Sequence, residues 1–343
     1  MTDNHKIAFI TCVSNPNTYD ECLYYINNLN VPKGYSVEAY GISDATSMAS
    51  GYQYGMSISN AKYKVYLHQD SFIINSNFIT DFLNIFDSNN QIGLIGMIGS
   101  LNLQEDNLAV ASWNCGSVYH NCTPSKLAFK TDTSRYYEVV DAVDGLIICT
   151  SVDINWRDDI FDGWDFYDIS QCMEMKRKGY TCVTATQLQP WVYHDNSYSK
   201  MTNYYKYRDI FVDEYQDIKS FCHISISDNK LEFDQLKEDS RKQLIELINQ
   251  GDKHQLISLF SNPESCGYLH LKDFEIFSRI AKIQLEQKQD SFWTNEPFDE
   301  LSLKLQNVRF SVIRKRFGFE NMLSDYYLCY GKEIVQLIES FYQ

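Results

Sequence analysis

The sequence predicts an α/β protein over about residues 1–215, with a parallel sheet covered on both faces by helices, followed by a helical region over 216–343. Three observations predict it. Apolar, strand-like runs alternate with amphipathic stretches through the first hundred residues. The same rhythm returns at about residue 139. After about residue 215, apolar residues recur every three or four positions among Lys, Glu and Gln, as in "DQLKEDSRKQLIELINQ" and "EIFSRIAKIQLEQKQ".

The elements follow in order. "KIAFITCV" (6–13) is a buried strand, and "TYDECLYYINNL" (18–29) is amphipathic. "YSVEAYGI" (35–42) is a second strand, and "TSMASGYQYGMSISN" (46–60) a helix. "KYKVYLHQ" (62–69) is a third strand, and "SNFITDFLNIF" (76–86) a helix capped by Ser76 or Asn75. "IGLIGMIG" (92–99) is a fourth strand. Residues 100–138, rich in Asn, Ser, Tyr and Trp, read as an irregular excursion. Order resumes with "VVDAVDGLIICT" (139–150), "FDGWDFYDISQCMEMKRKGY" (161–180) and the strand "TCVTAT" (181–186).

Composition limits the function. The chain has 343 residues, 44% of them hydrophobic, enough for a large core. Its net charge of -15 repels phosphate backbones, so nucleic acid is not an expected partner. Ten cysteines contain no C-x-x-C pair and no zinc spacing, and most sit among apolar neighbours, so free thiols in a reducing compartment are expected. No signal peptide and no membrane-length apolar segment is visible. A cytoplasmic protein is therefore expected. The basic run "RKRFGF" (314–319) reads as a solvated helix face or as a local contact with an anionic membrane.

Chemistry is sought at the carboxyl ends of the strands. The third strand stops abruptly on His68-Gln69-Asp70, and the strand at 181–186 leads to "PWVYHDNS" with His194. An Asp and a His brought together there could hold a divalent cation, with a diphosphate as further ligand. Taken singly, such an Asp is a turn former and such a His a surface residue. Asp165, Tyr167 and Asp168 form a second group. Ile169, Cys172 and Met173 share a helical face, which places Asp168 near a helix N-terminus. There it is either a cap or a carboxylate kept ionised by the helix dipole, able to accept a proton.

In this order the segments resemble the GT-A glycosyltransferases, in particular the bacterial family 2-like group. "FITCVSNPNTYDECLYYINNL", "SMASGYQYGMSISNAKYKVYLHQDSFI", "VDGLIICT" and "FDGWDFYDISQCMEMKRKGY" with "VYHDNS" carry the resemblance over about residues 5–200. It implies a mixed, mostly parallel sheet flanked by helices. It also implies metal-dependent, inverting transfer of a sugar from a nucleotide sugar, with UDP favoured, to a glycan, lipid-linked or protein acceptor in bacterial glycan biosynthesis. Asp70 then fits the last carboxylate of the Asp-x-Asp motif and shares a Mn2+ or Mg2+ with His194. His68 stands where the first acidic residue is usual. Asp168 becomes the catalytic base, with Tyr167 where Glu is common. Thr11, Cys12, Val13, Ser47, Met48, Gly51, Tyr52 and Gln69 would line the nucleotide pocket. Asp144 and Gly145 would lie beside the donor sugar, and Trp113, Trp164 and Asp165 would face the acceptor.

Two rival classes remain at this point. Within the glycosyltransferase reading a retaining mechanism is also open, and the anomeric configuration of the product would decide it. Gly93, Gly96 and Gly99 form a G-x-x-G-x-x-G run, but a dinucleotide-binding fingerprint needs a different spacing between strand and helix. A catalytically inactive domain serving as a scaffold is kept in play by His68 and Tyr167. The C-terminal helices could pair two copies, bind acceptor or sit at the inner face of a membrane, with packing against the first domain as the simplest role.

Overall fold

A computed structural model describes residues 2–103, 113–120, 126–129, 132–195, 203–216 and 314. The predicted helical domain 216–343 and its possible homodimer contact lie outside the described residues, apart from residues 216 and 314. All elements below belong to one of the two compact units of the chain, residues 1–120 with 125–227.

The first half contains β1 (Asp3–Cys12), α1 (Pro16–Asn27), β2 (Ser36–Ile42), α2 (Met48–Ile58), β3 (Ala61–His68), β4 (Ser71–Ile73), α3 (Phe78–Ser88) and β5 (Ile92–Gly96). There follow β6 (Ile98–Ser100), β7 (Cys115–His120), β8 (Lys126–Ala128), β9 (Tyr137–Val139), β10 (Ala142–Val143) and β11 (Ile147–Thr150). The last are α4 (Tyr167–Arg177), β12 (Thr181–Ala185), β13 (Val192–His194) and α5 (Tyr204–Glu214).

Helix starts follow local chemistry. Asn15 accepts from the N–H groups of Asn17 and Thr18, with Pro16 opening α1. Ser47 and Ser50 exchange hydrogen bonds to cap α2. The expected cap of α3 is corrected: the N-cap is Asn77, whose side chain makes no capping bond. Asn75 instead accepts from the Asn77 N–H and donates to Asp81.

The main sheet has the order β2-β1-β3-β11-β5-β12-β9. β1 runs parallel to β2 and β3, and β12 parallel to β5. β11 is antiparallel to both its neighbours, and β9 to β12. This is the mixed α/β architecture expected of the GT-A class. Residues 139–150 do not form one strand. They break at Asp144–Gly145 into β10, in the second sheet, and β11, in the middle of the first.

The excursion at 100–138 is not wholly irregular. β7 and β8 join a second, six-stranded sheet of order β10-β6-β7-β13-β4, and β9 closes the edge of the first. These strands run for only three to six residues, too short for a two-residue alternation to mark them. Helix α4 packs its Ile169, Cys172, Met173 and Met175 into a core with Leu94, Val143 and Cys182. Six cysteines of the described residues are free and buried, as expected. Among the described residues, no helix is long and apolar enough to cross a membrane.

Candidate active site

Register brings the candidates together. β3 lies beside β1 with Cys12 opposite His68. The chain leaves β3 at His68, passes Asp70 and enters β4, which pairs with β13 so that His194 faces Ser71. The N–H of Asp195 then donates to the carbonyl of Asp70 at 2.8 Å. A residue 124 positions downstream therefore lands beside Asp70 for a backbone reason: His194 Nε2 lies 3.5 Å from Asp70 Oδ1.

His68 joins the pair. Its Nδ1 lies 4.0 Å from Asp70 Oδ1, and its Nε2 is hydrogen-bonded to Tyr167 Oη. His68, Asp70 and His194 each offer one ligand atom, all within 4.8 Å of one another, so they could hold a metal ion. Two ligands with bonds of about 2.1 Å to one ion lie at most about 4.2 Å apart, and the separations from Asp70, 3.5 Å to His194 and 4.0 Å to His68, fall inside that limit. Burial would raise the Asp70 carboxyl, but His194 and His68 outweigh it and hold it down at about 2. Burial lowers the His68 imidazole. For His194, burial acts downward and Asp70 upward, and Asp70 prevails.

Asp168 sits at the second position of α4, not at its cap. The N-cap is Phe166, in the left-handed region with φ 63°, held there by packing on Tyr204 and Phe211. Asp168 Oδ2 accepts from the Gly145 N–H at 2.8 Å and Oδ1 from the Ile169 N–H at 2.9 Å. The sequence left two roles open for it, a cap or a carboxylate kept ionised at the helix start. Burial, reinforced by the charge of Asp144, raises its carboxyl to about 7 against those two backbone donors.

Gly145 is needed for a second reason. A Cβ there would collide with the Tyr167 hydroxyl and sit 2.5 Å from Tyr167 Cζ. Asp144 accepts from the Leu146 N–H at 2.9 Å, which shapes the same turn.

The remaining predicted residues have visible packing tasks. Gln69 Oε1 accepts from the N–H groups of Ser14 and Asn15, and its Nε2 donates to Ser14 Oγ, so its amide fastens the loop after β1. Thr11, Cys12 and Ser47 are buried. Gly51 lets α2 approach Cys12, since any Cβ there would meet the Cys12 sulfur. Tyr52 is fully buried among Tyr66, Trp156 and Tyr167, and its hydroxyl finds no hydrogen-bond partner among the described residues. Val13 and Met48 are half-buried. Trp113 is half-buried against the core, whereas Trp164 is 53% exposed, next to half-buried Asp165.

Sequence reasoning did not find His68 and Tyr167 as partners. Both had registered only as departures from a pattern. Their shared signal was that each departs at a motif position, one exchanging an acid for an imidazole and the other for a phenol.

A search of curated proteins finds no match to this chain. Among solved structures, a mannosyltransferase, PcManGT from Pyrobaculum calidifontis in complex with GDP-Man and Mn2+, shares 9% identity over 64% of this chain, with TM-score 0.40. The chain spans 66% of that protein's length. S. aureus TarS in complex with UDP shares 9% over 79% of this chain and 82% of the other, with TM-score 0.38. A mutant Drosophila β1,4-galactosyltransferase 7 with manganese, UDP-Gal and xylobiose shares 12% over 64% and 82%, with TM-score 0.34. At the level of family, the model described as "Glycosyltransferase like family" matches residues 8–215, so the chain belongs to that family and is a glycosyltransferase.

Proposed function

We propose that the protein transfers a sugar from a nucleotide-diphosphate donor, UDP-linked by preference, to a hydroxyl of a glycan, lipid-linked or protein acceptor, with inversion at the anomeric carbon. The observation that carries the reading is the approach of His194 to Asp70 at the end of β3. Asp70 and His194 would hold a divalent cation there, and the cation would supply positive charge against the leaving diphosphate. The residues of this chain do the rest. The loop after β1, fastened by Gln69, and the capped start of α2 frame the nucleotide side, with Thr11, Cys12, Val13, Ser47, Met48, Gly51 and Tyr52 shaping it. The Asp144–Gly145 turn borders the donor sugar.

Asp168 receives the proton of the attacking hydroxyl as the acceptor oxygen bonds to the anomeric carbon and the bond to the diphosphate breaks. A carboxyl near 7 suits a base working at neutral pH. Exposed Trp164, with Asp165 beside it, offers an apolar face to an acceptor sugar, and Trp113 contributes from the core side. The pairing of His68 with Tyr167 weakens the scaffold reading, because the two substitutions that motivated it are complementary rather than disruptive. Buried free thiols support a cytoplasmic location, with any membrane contact peripheral.

The test is a thermal-shift panel of UDP- and GDP-sugars with and without MnCl2, followed by product analysis. A shift that needs both nucleotide and metal, lost in Asp70→Asn, is expected. Full transfer by Asp168→Asn, or donor binding indifferent to Asp70, would refute the reading.

A further inference from the structure

His68 has one nitrogen on the Tyr167 hydroxyl and the other on the side of Asp70. A neutral imidazole carries one N–H and one lone pair, so an N–H spent on the phenol oxygen leaves the lone pair on Nδ1. Nδ1 is the atom that lies 4.0 Å from Asp70 Oδ1. Tyr167 is itself held in place. It is 5% exposed, its ring packs on Tyr52 at 5.8 Å and Trp156 at 6.3 Å, and Gly145 leaves no room for more than a hydrogen behind it. A ring this confined sets the direction of the imidazole it touches.

Resting on the reading that a divalent cation binds at Asp70 and His194, we propose that His68 is its third ligand, aimed by Tyr167 as a positioning residue. The resulting set of two imidazoles and one carboxylate selects a first-row transition-metal ion over Mg2+. The reason is ligand chemistry. Mg2+ demands oxygen ligands and gives up water reluctantly, whereas imidazole nitrogen suits Fe2+, Co2+ or Zn2+. An acidic residue at position 68 would offer oxygen and leave Mg2+ competitive. A partner on the far nitrogen also fixes the tautomer and raises the basicity of the ligating one.

The test titrates the metal-free full chain with Co2+ and, separately, Mg2+ by calorimetry, following the visible absorption of bound Co2+. The proteins are the wild type, His68→Asp, Tyr167→Phe and Asp70→Asn. The wild type is expected to bind Co2+ far more tightly than Mg2+, and His68→Asp to lose most of that preference with a changed Co2+ spectrum. Tyr167→Phe should weaken Co2+ roughly 10- to 100-fold, the usual cost of losing a partner behind a metal-bound imidazole, while Mg2+ binding changes little. Because the ratio is taken within one protein, a variant that merely loosens the fold weakens both ions together. That result, or an unchanged ratio in His68→Asp, overturns the proposal. If Asp70→Asn abolishes binding while the other two variants keep the wild-type ratio, the cation site stands and only the third ligand falls. If the wild type binds neither ion, both fall.

Discussion

The imidazole of His68 and the phenol of Tyr167, 99 positions apart, share a hydrogen bond at the point where a central strand ends and a helix begins. Through it the end of β3 is tied to the start of α4. Through Gly145 the start of α4 is tied in turn to the β10–β11 break. Three separate segments are thus locked into one site.

Gly145→Ala tests that lock. The new methyl would press on the ring of Tyr167, which cannot retreat through Tyr52 and Trp156. A destabilisation of about 1–3 kcal/mol is expected from such overpacking, together with a loss of sugar transfer larger than the loss of stability explains. Denaturant unfolding and initial rates on one preparation check this. Wild-type rates in Gly145→Ala would show that the turn tolerates the displacement.

Asp168 sets a pH dependence. Its carboxyl is raised from 3.8 to about 7, so between those values the folded state holds a proton that the unfolded chain has lost. The contribution of this group to stability is full below about 4 and declines as pH rises through about 7. Asp168→Asn, which does not titrate, should flatten that slope in denaturant melts at pH 5 and pH 8. Transfer by the wild type should rise about tenfold per pH unit up to about 7 and then level off. A rate independent of pH from 5 to 8 would remove Asp168 as the base.

Lys64 is a charged residue in the middle of β3 and only 1% exposed. Its ammonium donates to the carbonyl of Ala61 at 2.7 Å and to both oxygens of Asp153. Asp153→Ala strands the ammonium and should cost about 1–3 kcal/mol, less than a fully buried pair because Asp153 is half-exposed. Lys64→Met, which removes the charge and keeps the volume, should stay within about 1 kcal/mol of wild type. Equal losses in the two variants, measured by chemical denaturation, would contradict this.

Gln69 holds the loop after β1 by three hydrogen bonds. Gln69→Ala should raise the donor KM severalfold while changing kcat less, because it loosens the frame of the nucleotide and not the reacting groups. A fall in kcat alone would place Gln69 in the chemistry instead.

Much of this was legible in the sequence for a specific reason. β1, β3 and β5 are buried on both faces, so their apolar runs announce them, and a polar residue that stops such a run marks its end. That is why Asp70, and less directly His194, could be picked out. The strands at 115–120, 126–128 and 137–139 stayed hidden because runs of three to six residues are too short to show a period. The place of Asp168 near a helix start could be read along the chain, but the desolvation that raises its carboxyl depends on what packs around it.

By itself, the sequence determined the strand–helix alternation of the first hundred residues, the polar stops at the strand ends and the family to which residues 8–215 belong, because these depend on local periodicity and on motifs read along the chain. Tertiary structure alone decided that His68 is placed by Tyr167, that Gly145 must lack a side chain, and that Asp168 sits near neutrality. Each of these depends on contacts between residues distant in sequence, and such contacts exist only once sheet register and helix packing have brought the segments together.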